Sequence, residues 1–135
     1  MRASCLLLAL LGVSAFAQSD VNSVTYRSPG GTTLKVMLAD HNVGKEVALG
    51  EMVFPPNTES AEHTHGAIEM FYVVSGVYTH IVNGTPYVLK PGMAGYVKIG
   101  DKVKHKTGPE GAKAVVVWVP GVEAAKLASA WKREP

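Results

Sequence analysis

One cysteine stands in this chain of 135 residues, so no disulfide can form within it. Charged side chains are scarce, at 18%, and 13 Lys and Arg against 11 Asp and Glu leave a formal net charge of +2. That excess is too small and too dispersed to imply a nucleic-acid partner. Glu, Lys and Leu are too few for a coiled coil, and 47% apolar residues exclude a disordered tail. No apolar run reaches the roughly 20 residues that a membrane-spanning helix needs. What remains is one domain's worth of chain, punctuated by 14 Gly and 8 Pro.

The apolar residues crowd the start. Arg2 precedes Cys5-Leu6-Leu7-Leu8-Ala9-Leu10-Leu11-Gly12-Val13, and Ala15-Phe16-Ala17 follows. A positive start, a short apolar run and an A-x-A site are the three parts of a secretory signal peptide, here residues 1–17. A retained amphipathic helix would carry polar residues on one face, and this run carries none. Cleavage after Ala17 leaves residues 18–135 as an exported domain, periplasmic or extracellular, free of cysteine and of any membrane segment. Such a domain must draw its stability from a filled core, with a metal or dimerisation as further support.

Beyond a polar arm at Gln18–Gly31, the pattern becomes two-fold. Leu34, Val36 and Leu38 alternate with Thr33, Lys35 and Met37, as on a half-buried strand. Val47 to Phe54 reads as a second strand, stopped by Pro55-Pro56-Asn57. Met70–Val74 and Val77–Val82 are rich in β-branched and aromatic residues, with Ser75-Gly76 read as a turn between them. Asn83-Gly84 is a strong hairpin signal leading to Tyr87-Val88-Leu89. Tyr96-Val97 lies between turns, and Ala114–Val119 reads as a strand buried on both faces. Ala124, Leu127, Ala128 and Trp131 fall on one face of a C-terminal helix. About eight short strands with Gly and Pro turns predict an all-β sandwich or barrel.

Chemistry concentrates in Glu62-His63-Thr64-His65-Gly66-Ala67-Ile68-Glu69. His63 and His65 are two apart, so on a strand both rings point to one face. Glu69 shares their parity, and Gly66 permits a bend that brings its carboxylate towards the rings. Two neutral imidazoles and a carboxylate suit a divalent first-row metal with open positions. An isolated pair of this spacing is more often two solvated surface histidines. Here the pair follows a Pro-Pro-Asn turn and leads into an apolar strand, at the edge of the core.

In order and spacing, His63, His65, Glu69 and Gly76 resemble the first signature of the cupin superfamily. The resemblance runs from about Leu34 to Val119 and implies a small single-domain β-barrel of the jelly-roll type, with the site inside. It also implies metal ligation by His63, His65, Glu69 and a further histidine from a second signature. That second signature is altered here. Gly92 and Gly100 fit, but Lys98 stands where proline is expected and Pro109 where asparagine is expected. His105 follows Gly100 by two residues more than the pattern allows. An enlarged turn at Gly100-Asp101 places His105 on the site. An extended strand would instead shift it by about 6.6 Å, against a metal–nitrogen bond of roughly 2.1 Å. Asp101 is a typical turn residue, which favours the first outcome.

The expected cofactor is a divalent transition metal (iron, manganese, copper, nickel or zinc), and the expected partner a small-molecule ligand or substrate. The family includes metal-dependent oxygenases and isomerases, in which the metal polarises a bidentate substrate or Glu69 acts as general base. A non-catalytic module capturing a metal or small ligand is the alternative. A structural domain whose metal merely fixes the barrel is a third. Homodimerisation through the Gln18–Gly31 arm is a further expectation. His80 reads as a core histidine satisfied by hydrogen bonds, with second-sphere or substrate contact as the other reading, and His41 as solvated. Lys98, Lys102, Lys104 and Lys106 read as a solvated strand face, with docking of an anion as the other reading.

Overall fold

The computed structural model describes residues 22–135, so the expected signal peptide, residues 1–17, lies outside the described residues. In chain order the elements are β1 (Val24–Arg27), β2 (Thr33–Leu38), β3 (Ala48–Phe54), β4 (Ile68–Val82), β5 (Thr85–Leu89), β6 (Ala94–Val97), β7 (Val103–Val119), α1 (Val122–Ala130) and β8 (Lys132–Arg133). All strand pairs are antiparallel, in the order β5-β4-β7-β3-β2-β1-β8. β6 shares the second edge of β4 with β5, pairing at Glu69–Tyr72 while β5 pairs at Tyr78–Val82. This is an all-β barrel, one of the two architectures the strand pattern predicts, and of the jelly-roll type that the family resemblance implies.

The alternation in β2 is realised, with Leu34 and Val36 buried. So is the hairpin at Asn83-Gly84, where both residues take positive φ (50° and 82°). Two expectations fail in the longest strands. Ser75-Gly76 is not a turn but a bend inside one continuous strand, β4, and the register with β7 shifts on either side of it. Gly76 has φ +75°, and a Cβ there would lie 2.1 Å from the Gly111 carbonyl oxygen. The two strands cross so closely that only glycine fits, and the bend lets β4 and β7 curve round the barrel. Ala114–Val119 is not buried on both faces either. Ala114, Val116 and Trp118 face the core, whereas Val115 and Val117 are half-buried and Val119 is exposed.

The core is a single cluster built mainly from inward residues of β2, β3, β4 and β7, joined by Leu89 of β5, Val97 of β6 and Ala124 of α1, with Trp118, Tyr78 and Leu34 among its largest members. At one end of the barrel, α1 packs against β3 and β7. Its buried residues are Glu123 and Ala124; Leu127 and Ala128 are half-buried, and Trp131 lies just past the helix as its C-cap. Among the described residues, no helix is long and apolar enough to cross a membrane.

Candidate metal centre

The loop between β3 and β4 carries the first two histidines, and β7 holds that loop in place. After the Pro55-Pro56 turn, Asn57 donates its N–H to the Gly108 carbonyl (2.9 Å). Ser60 N–H bonds the His105 carbonyl (2.9 Å), and His105 N–H bonds Ser60 Oγ (3.0 Å). His63 and Val103 exchange both backbone bonds, at 3.0 and 2.8 Å. His63 and His65 therefore lie on a loop laid antiparallel along the first half of β7, not on a regular strand. His63 is half-buried and His65 only 5% exposed.

The altered second signature is accommodated in the turn before β7. Asp101 N–H bonds the Lys98 carbonyl, and the Asp101 carboxylate accepts from Lys98 N–H (2.9 Å) and Asn83 Nδ2 (2.8 Å). These bonds hold the Asp101 carboxyl below its usual pKa. The extra residues enlarge this turn, β7 begins at Val103, and His105 pairs in register with His80. One nitrogen from each of His63, His65 and His105 then lies within 4.8 Å of the others.

The partners of these rings decide which nitrogen is free. His63 Nδ1 lies 3.0 Å from the Ala61 carbonyl, which can only accept, so Nδ1 carries the proton and Nε2 a lone pair. His65 Nδ1 lies 3.2 Å from Glu123 Oε1. His105 Nδ1 meets the Tyr78 hydroxyl, while its Nε2 lies 3.1 Å from His63 Nε2. His65 Nε2 is buried without a hydrogen-bond partner, although Glu69 Oε2 is 3.1 Å away. A lone pair facing a carboxylate oxygen at that distance is what a cation between them would satisfy. The donor set thus fits a divalent first-row metal.

Glu69, in β4, is 4% exposed, and its Oε2 accepts from Trp118 Nε1 at 2.9 Å. Burial raises its pKa, opposed by His65 and the indole N–H. Its carboxylate reaches His65 but does not join the mutual cluster of the three histidines. Glu123 joins the site without being among the sequence candidates. It lies on the buried side of α1, and the helical reading of that segment attends to Ala124, Leu127 and Ala128. A glutamate beside the apolar stripe is the one signal that could have found it.

His80 departs from the expectation of a hydrogen-bonded core histidine. It is 2% exposed, its Nε2 has no partner, and its ring stacks on His105 (5.2 Å, 6°) and meets Phe71 edge-on. Burial lowers its pKa to about 4. The unfolded chain takes up the proton first, near the reference value of about 6.5. Stability from this group is therefore complete above the unfolded pKa and is lost as pH falls towards 4. His80→Phe is expected to flatten the stability–pH curve of metal-free protein below pH 6.5, by a slope of about 1.4 kcal/mol per pH unit. Urea unfolding at several pH values measures it; an unchanged slope would contradict the assignment. Burial likewise depresses the pKa of His105 and raises that of Tyr78, keeping one ring neutral and the other phenol protonated.

Other candidates lie apart from the centre. His41 is exposed, and Tyr72, Tyr87 and Tyr96 point outward. Lys102 pairs with Glu62 (3.9 Å), and Lys104 and Lys106 with Glu59 (3.7 and 2.9 Å), so these lysines form an exposed face paired with acidic residues of the loop that carries His63. The histidines open onto a cavity of about 680 Å³, walled by Met52, Phe54, Leu127 and Trp131, with Glu69, Tyr78 and Lys126 also lining it.

A small antiparallel barrel with a histidine cluster capable of holding a metal, opening on a cavity, defines a class of protein. The family model described as "Cupin domain" matches residues 50–120, and the chain belongs to that family. Its fold is shared with an RmlC-like cupin from Shewanella frigidimarina (18% identity, TM-score 0.68, 84% of this chain and 96% of that one). It is also shared with the polyketide cyclase RemF from Streptomyces resistomycificus (21%, 0.64, 91% and 82%). The oxalate decarboxylase of Bacillus subtilis, a protein with Mn(II) centres, matches over 78% of this chain but 29% of its own (19%, 0.64). No curated protein sequence matches the chain.

Proposed function

We propose that this protein is an exported, metal-dependent cupin enzyme acting on a small molecule, of the oxygenase or isomerase type. The observation that carries the reading is the set of three imidazole nitrogens turned towards one point, at the wall of a cavity large enough for a small organic ligand. His63, His65 and His105 would hold the metal, with Glu69 beside them. The bound metal would supply Lewis-acid polarisation of a substrate oxygen pair and, in a redox-active form, electron transfer to O2. Glu69, with its pKa raised by burial, would accept and return a proton at the substrate. The Trp118 indole fixes the carboxylate, and Met52 and Phe54 contribute apolar wall to the cavity. A purely structural metal would call for a closed interior, and the cavity speaks against it.

Oxygen uptake and isomerisation assays with small diketones, hydroxy-ketones and phenols, on iron- and manganese-loaded protein, test the reading. Glu69→Gln is expected to lower turnover at least about 100-fold. Turnover untouched by Glu69→Gln would remove the catalytic role of Glu69. Tight zinc occupancy with no turnover would instead assign the binding module. Export is supported by Arg2, the apolar run Cys5–Val13 and Ala15-Phe16-Ala17. Intact mass of protein from its own compartment should begin at Gln18. A homodimer through the arm would have to pair beyond β8, which already holds β1 at Tyr26 and Arg27; light scattering on a truncated chain tests it.

A further inference from the structure

We propose that Glu123 of α1 is a positioning residue of the metal centre, fixing the tautomer and direction of His65 so that its Nε2 faces His63 and His105. The inference rests on the metal reading above and assigns a role to a residue outside the ligand set. Glu123 is 4% exposed, on a helix whose neighbouring residues Val122, Ala125 and Lys126 are exposed. Its Oε1 accepts from His65 Nδ1 at 3.2 Å and its Oε2 from the Gly66 N–H at 3.3 Å. Lys126 Nζ donates to Oε1 at 3.4 Å from one turn further along. A single carboxylate thus grips both the ring of residue 65 and the amide that follows it. Gly66 leaves room for this, since a Cβ there would lie 3.3 Å from Oε2.

A buried carboxylate is a poor way merely to dock a helix, because desolvating it costs more than burying an apolar side chain of similar size. Its placement makes sense at the ring it holds. His65 is bracketed by two carboxylates, Glu69 at Nε2 (3.1 Å) and Glu123 at Nδ1 (3.2 Å). The ring can give its one proton to only one of them and remain neutral. With Glu123 taking the Nδ1 hydrogen, Nε2 is left as the donor. A carboxylate on the far nitrogen both orients a ligating imidazole and raises its basicity. Because Glu123 lies on α1, the helix that lines the cavity with Lys126 and Leu127 is also the helix that sets a metal ligand.

The test uses purified protein stripped of metal, titrated with Co(II) and Zn(II) against a chromophoric chelator. Glu123→Ala is expected to weaken binding 10- to 100-fold, in the range of about 10- to 100-fold typical of such outer partners, and to shift the Co(II) absorption spectrum. Glu123→Gln keeps an oxygen acceptor and should restore affinity to within about fivefold of wild type. Ala125→Gly weakens the same helix without reaching His65 and should leave affinity and spectrum unchanged. Nitrogen NMR of metal-free wild type at a pH where the ring is neutral should show His65 protonated on Nδ1, a readout independent of whether any variant folds. Wild-type affinity in Glu123→Ala, equal damage from Ala125→Gly, or an Nε2-protonated His65 would each overturn the proposal while leaving the metal reading standing. Failure of wild type to bind either ion would instead overturn the metal reading itself.

Discussion

Loading the metal-free protein with a divalent first-row ion is expected to raise its unfolding temperature by roughly 10–20 °C, and His65→Ala to abolish the gain. A ligand that binds only the folded state, present at a hundredfold excess over Kd, adds about 2.7 kcal/mol. For a domain near 100 residues each kcal/mol moves the midpoint by roughly 4–8 °C. The three donors come from distant stretches of chain, with His105 in β7 and His63 and His65 on the loop laid against it. The ion therefore ties this loop to the barrel. His65→Ala leaves two imidazoles, one of them already hydrogen-bonded to the other. Calorimetric scans with and without metal measure the effect. An equal metal-induced rise in wild type and in His65→Ala would show that the ion binds elsewhere.

Gly76→Ala is expected to be the most damaging single methyl addition, costing about 4 kcal/mol or more. At φ +75° an alanine carries the left-handed penalty of roughly 1–2 kcal/mol before any contact is counted. Its Cβ would then meet the Gly111 carbonyl oxygen at 2.1 Å and the Ala112 Cα at 2.9 Å, both backbone atoms that cannot swing aside. The pairing between β4 and β7 has to open at the point where both strands bend. Gly84→Ala is the control: φ is +82°, yet nothing lies within 4 Å of the added carbon. It should show the conformational penalty alone. Urea denaturation of the two variants separates the terms, and equal losses would mean that the close crossing is of no consequence.

These two expectations draw on features of different legibility. The histidine spacing, the hairpin at Asn83-Gly84 and the alternation in β2 are local patterns, and each can be read over a few consecutive residues. Ser75-Gly76 misleads because a bend in a long strand and a turn between two short ones use the same residues. Only the crossing with Gly111 distinguishes them, and that contact joins positions far apart in the chain. His105 is a mixed case. The altered spacing leaves two geometries, and the decision lies in the hydrogen bonds of Asp101 with Lys98 and Asn83. Glu123 is hidden for the strongest reason. Its partner His65 lies 58 residues away, and the helix pattern offers only a glutamate beside the apolar stripe. The unsatisfied Nε2 of His80 is invisible for a related reason: strand parity says inward, and only packing says what waits there.

The two tryptophans of this chain are placed so that the protein can report on its own centre by light. Trp118 holds Glu69 through its indole N–H, and Trp131 forms part of the cavity wall. Trp118 thus touches the candidate centre, and Trp131 the cavity on which that centre opens. A paramagnetic ion would quench them through short-range contact or energy transfer, whereas a ligand displacing water beside Trp131 would move its emission to the blue. Occupancy and ligand entry thus become two separable optical signals, available without label, cofactor chromophore or knowledge of the substrate.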